Sequence, residues 1–198
     1  MAGSFYPAEP DRLAAMVRRL LETARRLPGG ANPSPTPPVG LLVPHAGLVF
    51  SGVVAAAGWS RVVDDVIATD AKPGRRTVVI LGTNHGAAWL DGVAAWDAGA
   101  WRTPVGDLDV DEELAAAIVA LGPPFRVDGA AHEGEHSIEV QLPLLRAAAP
   151  DAQIVPLSVS AGVGRLAIEA GARLGRLLAT RLAAGASICL AISSDMAH

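Results

Sequence analysis

Cysteine is almost missing: Cys189 is the only one in 198 residues, which excludes an intrachain disulfide framework. It lies inside an apolar run and reads as a small packed hydrophobe. Basic residues are almost all arginine, scattered along the expected helices without forming a run, and 16 Lys+Arg against 20 Asp+Glu leave a net charge of −4. That balance advertises no nucleic-acid or anionic-membrane surface. The opening Met1 to Pro7 has neither a basic region nor an apolar one of the secretory kind, and no stretch approaches bilayer-spanning length. A cytoplasmic, non-membrane protein is expected. No Gly-x-Ser-x-Gly elbow is present, which argues against a serine hydrolase. Gly-rich phosphate loops are also missing, Gly82-Thr83-Asn84-His85-Gly86 being too short for one.

What is present is apolar: 51% hydrophobic and 18% charged residues, enough for one compact core. Leu13, Met16, Val17, Leu20, Leu21, Ala24 and Leu27 recur at helical spacing over Asp11 to Leu27, and a Pro/Gly-rich surface connection follows from Pro28 to Pro38. Short apolar runs then alternate with longer helical patterns. Strands are expected at Val39–Val43, Thr77–Leu81, Gly92–Trp96, Ile154–Val159 and Ser187–Ile192. The helices between and after them are expected at Gly52–Ile67, Asp111–Leu121, Ser137–Ala149 (starting or bending near Pro143) and Val163–Leu182. Runs such as Val78-Val79-Ile80-Leu81 are apolar on both alternating faces, as in strands covered by helices on each side. The expected fold is α/β: a three-layer α/β/α sandwich with a central, mainly parallel or mixed sheet.

Five histidines are available, and His45, His85 and His198 each follow the end of an expected strand. In an open α/β sheet that rim is where ligands bind. If the three strands are parallel neighbours, the imidazoles converge, and convergent imidazoles suit a transition metal. Each sits among small or turn-forming residues: Pro44-His45-Ala46-Gly47, Gly82-Thr83-Asn84-His85-Gly86 and Ser193-Ser194-Asp195-Met196-Ala197-His198. A second cluster, Ala131-His132-Glu133-Gly134-Glu135-His136-Ser137-Ile138-Glu139, has two readings. It is a capped helix start, or it brings His136 and Glu135 to the metal rim as orienting or acid/base groups. His132 reads as a solvated loop side chain. Asp195 either caps a turn or orients a neighbouring histidine. Trp89, Trp96 and Trp101 either line a pocket or pack, and Phe5, Tyr6 and Phe50 share that ambiguity.

These motifs, together with Ala2-Gly3-Ser4-Phe5-Tyr6-Pro7, Phe50-Ser51-Gly52, Arg102-Thr103-Pro104-Val105-Gly106 and Glu135-His136-Ser137-Ile138-Glu139-Val140-Gln141-Leu142-Pro143, resemble the Memo family. Its prokaryotic members are called AmmeMemoRadiSam system protein B. The matches run in family order along the whole chain, and the segment Glu135 to Pro143 is the most specific. The family in turn resembles the class III extradiol dioxygenases (LigB-like), which hold a non-haem iron at the edge of an α/β/α fold. The resemblance implies a single domain over residues 1–198, incomplete at its carboxyl end, since the family's remaining cysteine or glutamate ligand position lies beyond His198. It implies His45 and His85 as metal ligands and His198 as a third metal-site or acid/base histidine; with the readings above, the expected metal ligands are His45, His85 and His198, and the acid/base or orienting residues His198, His136 and Asp195.

The expected cofactor is Fe(II), with copper or zinc as alternatives. An Fe(II)-dependent oxygenase or redox enzyme acting on a small molecule is the first functional reading. The second is a non-catalytic metal- or partner-binding component of a modification system, beside radical-SAM and AMMECR1-domain proteins. Metal-dependent hydrolysis is a third class, less favoured because no second metal cluster is visible.

Overall fold

The computed structural model describes residues 1–28, 40–68, 75–160, 162 and 164–195, without the side chains of 63–68. The Pro/Gly-rich connection beyond Pro28, Val39, Val163 and the end at Met196–His198 lie outside the described residues.

Helix α1 (Pro10–Arg25) opens with proline in its first turn, where a missing N–H costs nothing, and buries Leu13, Val17, Leu20 and Ala24. It is followed by β1 (Gly40–Val43), α2 (Leu48–Ala68), β2 (Thr77–Asn84), β3 (Val93–Ala95), β4 (Ala100–Trp101) and β5 (Leu108–Asp109). Then come α3 (Glu112–Val119), β6 (Phe125–Val127), α4 (Leu142–Ala148), β7 (Gln153–Ser160), α5 (Gly164–Ala183) and β8 (Ile188–Ser193). Asp111 caps α3 by accepting the Leu114 N–H at 2.9 Å. Pro143 stands in the first turn of α4, so the expected Ser137–Ala149 helix resolves into a 3-10 turn at Glu139–Gln141 and a short α-helix after it.

Six strands form one mixed sheet in the order β1-β8-β2-β7-β3-β6. The first four are mutually parallel, β3 runs antiparallel to β7, and β6 is parallel to β3. Val78, Val79 and Ile80 of the central β2 are fully buried, as a strand covered on both faces requires. Helices α1, α2 and α4 pack on one another over one face. On the other lie α3 and α5, joined by the Arg181–Glu113 ion pair at 2.8 Å. The fold is therefore the three-layer α/β/α arrangement. At β1 and β8 a strand face stays open: Leu42 and its register partner Ile192 are 55% and 40% exposed. No helix among the described residues is long and apolar enough to cross a membrane.

The register matters for the site. Val43 pairs with Ser193, and Ser193 with Gly82, so the carboxyl ends of β1, β8 and β2 stand in one row. Whatever follows them emerges at one rim.

Candidate metal centre

His45 leaves β1, Asp195 leaves β8 and His85 leaves β2, and the segment 133–138 crosses over the same rim to deliver Glu135 and His136. That crossing is possible because position 82 of β2 is glycine. A side chain there would come within 2.5 Å of Ile138 Cγ1 and collide with Ser137. The imidazoles of His45, His85 and His136 converge so that one nitrogen from each lies within 4.8 Å of the others. His85 and His136 stack at 4.6 Å, and His45 meets both rings edge-on at 5.2 and 5.4 Å. Phe5 covers the other face of His136 at 4.3 Å.

Each ring is oriented by what its Nδ1 touches. The Glu135 carboxylate accepts the His85 backbone N–H at 2.5 Å and the His85 Nδ1–H at 3.0 Å. It also accepts the backbone N–H groups of His136 and Ser137 at 2.8 and 2.9 Å, and stands 3.3 Å from His136 Nδ1. One carboxylate thus accepts from the 136–137 backbone and contacts two imidazoles, so the segment joins a capped turn to a place at the rim. Burial alone would raise the Glu135 pKa, but hydrogen bonds from the backbone of His85 and Ser137 and from the His85 ring outweigh it and bring it down to about 2.

His45 is the most informative residue. It is 1% exposed, and its Nδ1 faces Ser193 Oγ at 3.4 Å. The Ser193 hydroxyl donates its only proton to Ser137 O at 2.6 Å and accepts from Gln141 Nε2 at 2.9 Å. Its remaining lone pair is open to His45 Nδ1–H, the tautomer that leaves Nε2 as the bare nitrogen. That Nε2 is buried with no hydrogen-bond partner, and 3.5 Å away stands a carboxylate oxygen of Asp195, also an acceptor. In that tautomer two acceptors face one another, an arrangement that a cation between them satisfies. Burial lowers the His45 pKa against the pull of Asp195 and Ser193, and burial likewise lowers that of His136 against Glu135, so both rings are neutral at pH 7. Neutral imidazole is the metal-binding form.

Behind the rings lies a polar network that motif reading did not single out. Gln141, 1% exposed, donates to Pro44 O at 2.9 Å and accepts Trp59 Nε1–H at 2.9 Å, tying α2 to the residue before His45. Asn84 donates to Ala131 O and Ser158 Oγ at 2.6 and 2.9 Å and accepts the Ala87 N–H, so it fixes the turn that carries His85. Both residues stand inside the quoted motifs next to the site histidines, and that adjacency was the available signal.

The structure brings His45, His85, His136, Glu135 and Asp195 together, whereas His198 lies outside the described residues. His132 is not a solvated side chain. It is 5% exposed, with Nε2 3.1 Å from Ala94 O and the rings of Trp96 and Trp101 edge-on to it, because the 129–132 turn folds inward against β3. Trp96 and Trp101 therefore pack, while Trp89 is 62% exposed. Tyr6 is buried and donates to Glu139, which with burial raises its pKa, and Phe50 is exposed. Cys189 is buried inside β8, away from the cluster, and burial raises its pKa.

Three convergent imidazoles at the carboxyl edge of a mixed sheet in an α/β/α sandwich define a class: an α/β protein with a rim cluster able to hold a metal ion. Within that class the chain belongs to the Memo family, whose model, described as Memo-like protein, matches residues 1–198. It is 42% identical over 149 residues to a MEMO1 family protein of Methanopyrus kandleri, covering 74% of this chain and 50% of that one. To a MEMO1 family protein of Methanocaldococcus jannaschii it is 35% identical over its full length, covering 68% of the relative. A third, from Thermotoga petrophila, is 34% identical over the full length with 69% of the relative covered. The chain thus spans between half and about two thirds of the length of these relatives.

Proposed function

We propose that His45, His85 and His136 hold a single non-haem metal ion, Fe(II) in the first place, and that the loaded protein is an oxygenase or related redox enzyme acting on a small molecule. The observation that carries the metal is His45 Nε2: buried, without a hydrogen-bond partner, and facing the acceptor of Asp195 with two further imidazoles beside it. Such a donor set suits iron, copper and zinc. The family's likeness to iron dioxygenases favours iron among them. Bound there, iron would supply a redox-active Lewis acid able to gather two reactants at one point.

The protein's own groups do the remaining work. Glu135 keeps the Nδ1–H of His85 engaged, so that its Nε2 is presented to the cluster. Ser193 does the same for His45. Phe5 holds the His136 ring in place and excludes water from one face. Asp195, about a fifth exposed at the mouth of the site, is the carboxylate placed to accept a proton from an incoming hydroxyl.

The test is anaerobic titration with Fe(II), and with Zn(II) and Cu(II) for comparison. About one equivalent should bind per chain, and His45→Ala and His85→Ala should each lose it with unchanged circular dichroism. Wild-type affinity in both variants overturns the assignment. Oxygen consumption with hydroxylated aromatic molecules then separates the enzyme from the non-catalytic alternative, a metal-binding component working beside radical-SAM and AMMECR1-domain proteins. That alternative predicts metal binding without turnover.

A further inference from the structure

We propose that the groove between α1 and α4 is a second binding site, for a small amphipathic anion: an apolar body carrying one carboxylate or phosphate head. The groove encloses about 480 Å³, within the range of small-molecule sites, and none of its lining residues belongs to the histidine cluster.

Helix α1 has two apolar stripes. Leu13, Val17, Leu20 and Ala24 go into the core, and Leu21, with the edge of Val17 and with Pro143 of α4, floors the groove. Three guanidinium groups stand around that floor: Arg18 and Arg25, two turns apart on α1, and Arg146 across the groove on α4. Glu22 is the only carboxylate among the described lining residues, so a chain of net charge −4 presents here a concave patch in which they set three positive groups against one negative. Neither Arg18 nor Arg25 has an ion-pair partner among the described residues, and Arg146 has none either.

Arg146 is held ready for a ligand. Its Nη1 donates to Pro150 O at 2.6 Å, while its Nε is buried with no hydrogen-bond partner. The guanidinium lies against Gly106, where a Cβ would come within 2.8 Å of Nε and where φ is +124°. Only glycine permits both that backbone and that approach. The turn that supplies it is the Arg102-Thr103-Pro104-Val105-Gly106 motif, closed by Thr103 Oγ1 donating to Gly106 O at 2.6 Å, and Val105 adds to the groove wall. The metal site does not use this motif. An apolar floor with a guanidinium anchored through Pro150 on one side and two without ion-pair partners among the described residues on the other suits a charged head whose body lies on Leu21 and the edge of Val17.

Titration of the protein with octanoate, octyl phosphate, inorganic phosphate and 1-octanol tests this, followed by calorimetry and by methyl NMR shifts of Val17, Leu21 and Val105. Octanoate or octyl phosphate should bind about one per chain and move those methyls, and the stronger of the two identifies the head. Inorganic phosphate and octanol should bind more weakly. Arg146→Met and, on the exposed rim, Arg18→Gln should each weaken binding by about tenfold, the worth of one charge-assisted contact, with Fe(II) stoichiometry unchanged. Equal binding of octanol, no methyl shifts, or wild-type affinity in Arg18→Gln overturns the proposal. The Fe(II) readout keeps its failure distinct from that of the metal site.

Discussion

Glu135 shows how much of a site one side chain can organise. Its two oxygens collect N–H groups from residues 85, 136 and 137 and from the His85 ring. Glu135→Gln keeps the shape but sets an amide NH2 against donors, leaving buried N–H groups unsatisfied at a cost of about 1–3 kcal/mol. Chemical denaturation should show that loss, and Fe(II) affinity should fall as His85 loses its fixed orientation. The same carboxylate has an acid signature. Its folded pKa is depressed from 4.5 to about 2, so its stabilising contribution is present above pH 4.5 and is lost as pH falls toward 2. Glu135→Gln should flatten the stability profile across that window, and an unchanged acid limb would contradict the assignment. At this scale the sequence was partly legible. His45 and His85 could be placed because each follows a strand. His136 was visible as a rim residue but not as the third converging ring, because its approach depends on the chain crossing over Gly82, a contact distant in sequence that no local period reports.

Elements position the site through a few buried contacts. Trp59 of α2 is fully buried, and its indole N–H satisfies Gln141, which in turn grips the Pro44 carbonyl before His45. Trp59→Phe fills most of the same volume but removes the donor. It should cost about 1–3 kcal/mol in denaturant unfolding and loosen metal binding through His45. Gly82→Ala acts from the strand side: the added methyl meets Ile138 and Ser137 and pushes the 135–138 segment off the rim. Reduced Fe(II) affinity with an intact sheet by circular dichroism is the expected result. The long elements were readable because α1, α5, β2 and β7 carry enough residues to display a period or a continuous apolar run. The strands β4, β5 and β6, of two or three residues, were not. The reversal of β3 against β7 was hidden too, since direction within a sheet leaves no mark on an apolar triplet such as Val93-Ala94-Ala95.

Across the whole molecule, the sheet separates two chemistries. Its carboxyl edge gathers three imidazoles with the carboxylates of Glu135 and Asp195, while the helical layer of α1 and α4 carries a groove rich in arginine. Parallel pairing of β1, β8 and β2 is what makes the first possible, because only parallel neighbours release successive loops on the same side. X-ray absorption at the iron edge of the anaerobically loaded protein, compared with the His136→Ala variant, tests the central claim most directly. Three imidazole nitrogens around iron, with one fewer in the variant, is the predicted result. An iron environment unchanged by His136→Ala would contradict it and place His136 outside the metal's ligands.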